Sequence, residues 1–334
     1  MRYWILFMPL GLLLGGCGVG ISDVDIGCTL ALLGGEIQGC PLHLQPDVTI
    51  LAGINGAAAS DLFHFSNPGN MTTDGTSLYV VDQGAQEIRK VTISSGVESV
   101  LVPGRVALQG ITYSGGVVYF TEGDNIHFAD ATSGAVTSFF SNGLGTLDGA
   151  IGVAQFNSAG GLVVLGQSLY VADTGNCKIR KIDLTLNFVT SLAGNSAFCS
   201  EADGTGSSAH FNNPAGIATD GTFLYVADLV GNTLRKIDPS TGVTTTLASG
   251  VTASFSFPRG LVTDGVYVYV ASSLNHRVKR VRITTGEVTT LFGDGTATTT
   301  PGGAGAQVDA PVGMTSDGHS LFVSSGSNVI LKVR

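Results

Sequence analysis

The chain repeats one short pattern six times. In each copy a glycine is followed four residues later by an aromatic residue, and successive aromatics are 40 to 55 residues apart. The six pairs are Gly75/Tyr79, Gly115/Tyr119, Gly166/Tyr170, Gly221/Tyr225, Gly265/Tyr269 and Gly318/Phe322. Repeats of this length are typical of solenoids, propellers and other arrays. Most residues of such a chain serve the scaffold, so a functional site is best sought where the copies differ.

Each copy reads as four short β-strands. Asp-Gly dipeptides, a strong hairpin signal, close the first hairpin at Asp74, Asp220, Asp264 and Asp317. The second strand follows the pattern Leu-Tyr-Val-Ala seen at 224–227, and the third alternates apolar with basic or polar residues, as at 278–281. A Ser/Thr-Gly turn then leads to a fourth strand such as 243–248. The unit is therefore a four-stranded antiparallel sheet.

The count of fourth strands predicts how the array closes. Only five copies have one, because the sixth copy stops at Arg334 after its third strand. The missing pattern occurs instead at residues 48–53, upstream of the first full copy. An open stack would leave exposed strand edges, whereas a ring lets residues 48–53 complete the last sheet. We therefore predict an all-β fold, a six-bladed β-propeller closed by strand 48–53 on the C-terminal blade.

Two segments carry a resemblance to a known family. The runs Asn176-Cys-Lys-Ile-Arg-Lys-Ile182 and Asn275-His-Arg-Val-Lys-Arg-Val281, each preceded by a Leu-Tyr-Val-Ala-like strand, resemble NHL repeats. The resemblance covers residues 48–334 and is weakest in the second copy, where Asn125–Asp130 replaces the basic run, and in the shortened sixth copy. NHL repeats imply a six-bladed propeller, which agrees with the strand count.

The N-terminus predicts export. Arg2 precedes a ten-residue apolar run, 5–14, which is shorter than the roughly 20 residues that span a bilayer and matches a signal peptide. The following Leu-Gly-Gly-Cys17 resembles the lipobox of bacterial lipoproteins, and this implies a lipidated Cys17. The alternative is an ordinary secretory peptide with an incidental Cys17. The expected organisation is a signal peptide at 1–16, a lipidated tether at 17–47 and the propeller at 48–334.

Four further cysteines remain, an even number in an oxidising compartment. Cys28 and Cys40 are expected to form a small loop in the tether. Cys177 falls in the second hairpin of the third unit and Cys199 in the connection that follows that unit. In an up-and-down blade these two segments emerge on one face, so a Cys177–Cys199 disulfide is predicted, with a stabilisation of about 3 kcal/mol.

Charge limits the partners and the location. The net charge of −9 argues against a nucleic-acid groove, which needs a basic face. The predicted partners are instead the membrane, through the lipid, and a ligand at one propeller face. Gly18, the residue after Cys17, is not the Asp linked to inner-membrane retention. The outer membrane or the cell surface is therefore the expected location.

Recurrent acid–base pairs admit two interpretations. Asp82/Arg89, Asp173/Arg180 and Asp228/Arg235 are each seven residues apart. With Glu122, the three aspartates form a cation-binding ring in one interpretation. In the other, which their recurrence in step with the fold favours, each aspartate caps its own turn and pairs with its own arginine.

The sequence offers no convincing catalytic set. Residues expected along the channel are mainly Gly, Thr, Val, Met, Leu and Ile, and His276 occupies the named histidine of the repeat. We therefore expect no cofactor and no metal. The chain is predicted to be a non-enzymatic extracytoplasmic module that binds a protein, peptide or glycan. Alternatives are a metal-dependent hydrolase or lyase of the propeller type and a structural envelope component.

The candidate binding rim consists of residues that break the repeat or recur at one face. Gln109 and Arg259 depart from the local pattern at the start of their innermost strands. His64 and His210 hold equivalent places just before the innermost strands of two units. These four residues are the predicted ligand-binding positions.

Overall fold

The computed structural model describes residue 44 and residues 47–53, 65–303 and 305–334. Within these ranges the chain forms six antiparallel sheets, each built from consecutive strands except the last. The innermost strands of neighbouring sheets contact one another in sequence, and the sixth contacts the first. The protein is therefore a six-bladed β-propeller of four-stranded blades, as predicted, and two of the blades carry an additional two-residue strand at the outer edge.

The strands are numbered in chain order. The first strand, β1 (Val48–Ala52), precedes blade 1 in the chain. Blade 1 consists of β2 (Pro68–Thr73), β3 (Ser77–Asp82), β4 (Glu87–Thr92) and β5 (Glu98–Val102). Blade 2 consists of β6 (Leu108–Ser114), β7 (Val117–Glu122), β8 (Asn125–Asp130) and β9 (Val136–Phe140). Blade 3 consists of β10 (Gly149–Ala150), β11 (Ala159–Leu165), β12 (Ser168–Asp173), β13 (Lys178–Asp183) and β14 (Phe188–Gly194).

The remaining blades follow the same order. Blade 4 consists of β15 (Gly204–Thr205), β16 (Pro214–Thr219), β17 (Leu224–Asp228), β18 (Thr233–Ile237) and β19 (Val243–Ala248). Blade 5 consists of β20 (Pro258–Thr263), β21 (Tyr267–Ser272), β22 (Arg277–Arg282) and β23 (Val288–Phe292). Blade 6 contains β24 (Met314–Ser316), β25 (Leu321–Ser325) and β26 (Val329–Val333). The short helices are 3₁₀ turns at Thr174–Asn176, Gly206–Ser208 and Ser273–Asn275 and the α-helix α1 (Gly250–Ala253).

In three of the six units the glycine–aromatic spacing is accompanied by one hydrogen bond. Gly75 has φ +88° in the first hairpin of blade 1, and the hydroxyl of Tyr79 donates to a carboxylate oxygen of Asp74 at 2.8 Å. The same bond joins Tyr225 to Asp220 and Tyr269 to Asp264. Partial burial opposes ionisation of Asp74, but bonds from Ser77 and other donors lower its pKa to about 2. The aromatic ring fills the layer between blades while its hydroxyl holds the turn.

The ring closes through β1. It pairs antiparallel with β26, with Val48 opposite Val333 and Thr49 opposite Lys332. Val48 is 1% exposed and belongs to the apolar cluster between blades 5 and 6. Strand 48–53 thus supplies the outer strand of the C-terminal blade, and the predicted closure is confirmed. Closure also brings the residue before β1 next to the C-terminus, because Asp47 exchanges backbone hydrogen bonds with Arg334.

The long connections between blades cover the outer edge strands of three blades. The connection into blade 3 contributes β10, which pairs with the start of β14, and the connection into blade 4 contributes β15, which pairs with the start of β19. In blade 6, Gly302 forms a bridge with Val48 at the start of β1. Each connection therefore descends along the outer edge of the next blade before it returns to the innermost strand. These segments protect three of the six outer strands from pairing with another chain.

The predicted disulfide is present. Cys177 and Cys199 are bonded, with their Cα atoms 5.5 Å apart and a sequence separation of 22. The bond joins the second hairpin of blade 3 to the connection into blade 4. Cys17, Cys28 and Cys40 lie outside the described residues.

Closure through β1 predicts a sharp difference between adjacent positions. Val48→Asp should lower the free energy of unfolding by about 3 kcal/mol or more, because it places a charge in the apolar layer between blades. Thr49→Asp, on the exposed side of the same strand, should change it by less than about 0.5 kcal/mol. Denaturant unfolding of both variants measures the difference. Equal effects would mean that β1 does not complete blade 6 in solution.

Candidate functional site

The channel opens into a cavity at the face where the innermost strands begin, which we call the mouth face. The cavity has a volume of about 250 Å³, and we call it the cup. Its wall is formed by Asn70, Gln83, Gln109, Thr174, Leu229 and Arg259, together with Ser158, Val312 and the small residues Gly160, Gly161, Ala215 and Gly216. Two of the four predicted rim residues, Gln109 and Arg259, are thus brought together here.

Glycines bring the innermost strands into backbone contact around the cup. The equivalent position is Gly in five units: it is the third residue of β6, β11, β16 and β20 and directly precedes β24, namely Gly110, Gly161, Gly216, Gly260 and Gly313. A Cβ atom at any of the five would lie against a backbone carbonyl of the next blade. The carbonyls are those of Gly160, Ala215, Arg259, Val312 and Gly69. Only glycine permits this approach, so these positions hold the blades together at the hub.

Asn70 breaks the ring of glycines. It occupies the corresponding position in blade 1, and its side-chain Nδ2 donates to the carbonyl of Gln109 at 2.9 Å. An amide therefore bridges the junction between blades 1 and 2, where the other junctions have direct backbone contact. The role of Asn70 in the cup thus depends on a contact with the next blade.

The residue before each of these positions forms the upper rim of the cup. In chain order these residues are Gly69, Gln109, Gly160, Ala215, Arg259 and Val312. Four are small or aliphatic, whereas Gln109 and Arg259 are long, polar and exposed. They belong to blades 2 and 5, which are opposite each other in a ring of six. The cup thus has an amide on one side and a guanidinium on the other.

A third ring of residues lies at the start of the second hairpins. In three blades the side chain of the residue at this position donates a hydrogen bond to a backbone carbonyl in or just before the innermost strand of the next blade. These bonds run from Gln83 to Leu108, from Thr174 to Pro214 and from Ser273 to Pro311, at 2.9, 2.7 and 2.6 Å. Blade 4 has Leu229 at this position, which exposes an apolar surface to the cup. Sequence reasoning missed Gln83 and Leu229, although comparing the residue after each recurring acid would have revealed them.

An apolar ring forms the floor. Below the cup, Met71, Ile111, Leu162, Ile217, Leu261 and Met314 line a small cavity of about 40 Å³. Each of these six residues is at most 7% exposed. A ligand in the cup therefore meets a narrow apolar base.

The recurrent aspartates are structural. Asp82, Asp173 and Asp228 are fully buried, and each accepts the backbone N–H of a residue just before an innermost strand. Their arginine partners lie 3.0, 2.7 and 4.0 Å away. Burial raises the pKa of all three carboxyl groups, that of Asp228 to about 7, against the opposing effect of these hydrogen bonds and charges. Asp82 and Asp173 thus pair closely with their own arginines, as the second interpretation predicts, whereas Arg235 is 4.0 Å from Asp228 and pairs more closely with Asp203, at 2.8 Å.

Within the described ranges, no histidine lines the cup. His210 stacks on Phe198 with ring centroids 5.5 Å apart, and its Nδ1 lies 3.4 Å from Oγ of Ser200 in the same connection. His276 accepts the N–H of Ala310 through Nδ1 at 3.0 Å, which is the scaffold role predicted for it. His64 lies outside the described residues. Across the described ranges, no group of three or more His, Cys, Asp or Glu side chains is placed to hold a metal ion.

Comparison with known proteins agrees with the repeat and the fold. No family model matches the chain. NHL repeat-containing protein 2 of Gallus gallus is 50% identical over 50 residues, which are 15% of this chain and only 7% of that protein. The chain is therefore similar to a small part of this relative. The six-bladed propeller is confirmed, and the resemblance to NHL repeats is supported over this 50-residue segment.

Three solved structures illustrate the similarity in fold. An auxiliary nutrient binding protein from Bacteroides thetaiotaomicron is 16% identical, with 86% of this chain and 76% of that one covered and a TM-score of 0.65. One from Bacteroides ovatus is 14% identical, with 87% and 77% covered and a TM-score of 0.64. A catalytically inactive virginiamycin B lyase from Staphylococcus aureus, with quinupristin, is 16% identical, with 86% and 98% covered and a TM-score of 0.55. At these identities the comparison shows the fold alone.

The glycine ring predicts a specific sensitivity. Gly216→Ala would push a methyl group against the carbonyl of Arg259 and should lower the free energy of unfolding by about 1–3 kcal/mol. Gly305→Ala is the control, because a Cβ there meets no atom within 4 Å and its change should stay below about 0.5 kcal/mol. Chemical denaturation of both variants measures the effect. A neutral Gly216→Ala variant would contradict backbone contact at the hub.

Proposed function

We propose that the protein is an extracytoplasmic binding module that takes a ligand end-on in the cup at the mouth face. The observation that carries the proposal is the convergence of the departures from the repeat. Asn70, Gln83, Gln109, Leu229 and Arg259 each differ from their counterparts in the other blades, and all five line one cavity. A scaffold alone would not require its irregular residues to meet at one place.

The chemistry of the cup supports binding. Small-ligand sites are concave and largely apolar, with a few polar groups that fix orientation. The cup combines an apolar floor and Leu229 with amides and a guanidinium on its wall. Two of the solved propellers described above are called nutrient binding proteins, which is consistent with ligand capture on this fold. The proposed ligands are the peptide and glycan classes.

The location forms part of the proposal. We infer that residues 1–16 direct export, that Cys17 carries the lipid, that residues 17–47 form the tether and that the outer membrane or cell surface is the destination. The disulfide between Cys177 and Cys199 fits an oxidising compartment. In the described part of the chain, no helix combines the length and apolar character needed to cross a bilayer.

Blocking the cup tests the site. Gln109→Trp places a large side chain at the exposed rim and should reduce affinity at least tenfold for any ligand that enters the cup. Thr137→Trp, on the exposed outer strand of the same blade, is the control and should bind normally. The probes are labelled tripeptide pools and an oligosaccharide panel, titrated against full-length protein by fluorescence polarisation. Ligand binding that survives Gln109→Trp would place the site elsewhere, and no binding of either panel would count against the proposal.

Lipidation is tested separately. In cells fed a radiolabelled or alkyne-tagged fatty acid, the wild-type protein should be labelled and should sediment with membranes. Cys17→Ser should abolish the label and release the protein, whereas Cys28→Ser should retain both properties. Membrane association of an unlabelled wild-type protein would contradict the lipid anchor.

A further inference from the structure

Arg259 differs from the other arginines of the propeller. Among residues 65–303, every other arginine forms a side-chain hydrogen bond or an ion pair. Those residues are Arg89, Arg105, Arg180, Arg235, Arg277, Arg280 and Arg282. Within the described structure the guanidinium of Arg259 forms none, and it stands exposed on the wall of the cup. A free guanidinium is a planar donor suited to two-point contact with a carboxylate.

The residues beside Arg259 add a second requirement. Leu229 of blade 4 and Val312 of blade 6 line the cup on either side of the blade that carries Arg259. A ligand that pairs with Arg259 therefore presents an apolar group close to its anion. In a peptide, the terminal carboxylate and the last side chain are attached to the same Cα atom. The adjacent cation and apolar contacts match that arrangement.

Groups across the cup complement a peptide backbone. The side-chain amide of Gln109, opposite Arg259, has no hydrogen-bond partner within the described residues, and the Asn70 amide is bonded only through Nδ2. An amide offers both a donor and an acceptor, as the peptide group does. The last peptide groups of a chain could therefore be held between Asn70 and Gln109 while the carboxylate faces Arg259.

The shape of the cup favours a chain end. At about 250 Å³ it is smaller than the 300–1,000 Å³ typical of sites for drug-sized ligands. The channel narrows below it, where the apolar ring of Met71, Ile111, Leu162, Ile217, Leu261 and Met314 leaves a cavity of only about 40 Å³. The net charge of −9 does not attract anions over a distance, and selectivity must come from contact with Arg259.

We propose that the cup binds the free carboxyl terminus of a peptide, with Arg259 pairing with the carboxylate and Leu229 and Val312 contacting the last side chain. This inference rests on the proposed function and specifies its ligand. Asn70 and Gln109 position the last peptide groups, and no chemical step is involved.

The experiment compares matched probes on the full-length protein. N-acetylated tripeptide pools with an aliphatic last residue are prepared with a free or an amidated carboxyl terminus, and glucuronate and galacturonate are titrated alongside them. The free acids should bind at least tenfold more tightly than the amides. Arg259→Gln should weaken free-acid binding at least tenfold and leave the weak amide binding unchanged. Arg259→Lys should recover only part of the loss, because an ammonium lacks the fork of donors.

The control variant is Arg280→Gln, which removes one positive charge from the same blade away from the cup and should bind as the wild type does. Thermal melting of each variant confirms that it is folded. Equal affinity for acids and amides, or an unchanged Arg259→Gln variant, would overturn the carboxyl-terminus assignment. Uronates that bind through Arg259 while peptides fail would also overturn it. Any of these three results leaves the proposed function intact if Gln109→Trp still weakens ligand binding at least tenfold.

Discussion

Backbone contact between neighbouring innermost strands is the constraint on which the propeller depends. At five junctions the Cα atom of a glycine lies against a carbonyl of the next blade, a distance that no side chain permits. The contact sets the radius of the hub, and that radius in turn brings the six apolar side chains of the floor together. Because the hub leaves little free space, a ligand can be accommodated only above the floor, at the mouth.

Backbone contact at the hub also distinguishes the residues that maintain the fold from those that form the cup. Asn70 replaces one glycine of the ring, and its amide bridges to the carbonyl of Gln109. Gln109 and Arg259 occupy the rim positions that Gly69 and Gly160 hold in other blades. A regular propeller with small residues at all of these positions would have no polar side chains around the opening of its channel. In this protein the polar groups of the cup come from a few residues that differ from the repeat. The fold tolerates them because their side chains line the channel opening.

Much of the architecture could be predicted from the sequence because it is periodic. The missing fourth strand in the last unit predicted the pairing of β1 with β26, and the shared face of hairpins and connections predicted the disulfide between Cys177 and Cys199. The cup was only partly predictable, since Gln83 and Leu229 acquire meaning from contacts with the next blade. The descending connections were also missed. Their pairing with β14 and β19 depends on tertiary position, and a two-residue strand such as Gly149–Ala150 leaves no periodic signal.

The closure of blade 6 has a consequence for how the molecule is oriented. Strand β1 begins at the face opposite the mouth, and Asp47 meets Arg334 there. A tether attached at Asp47 therefore joins the propeller at the face opposite the mouth. If Cys17 is held in a membrane as proposed, the attachment point lies on the face away from the cup. A single edge strand would then both close the ring and keep that attachment away from the cup.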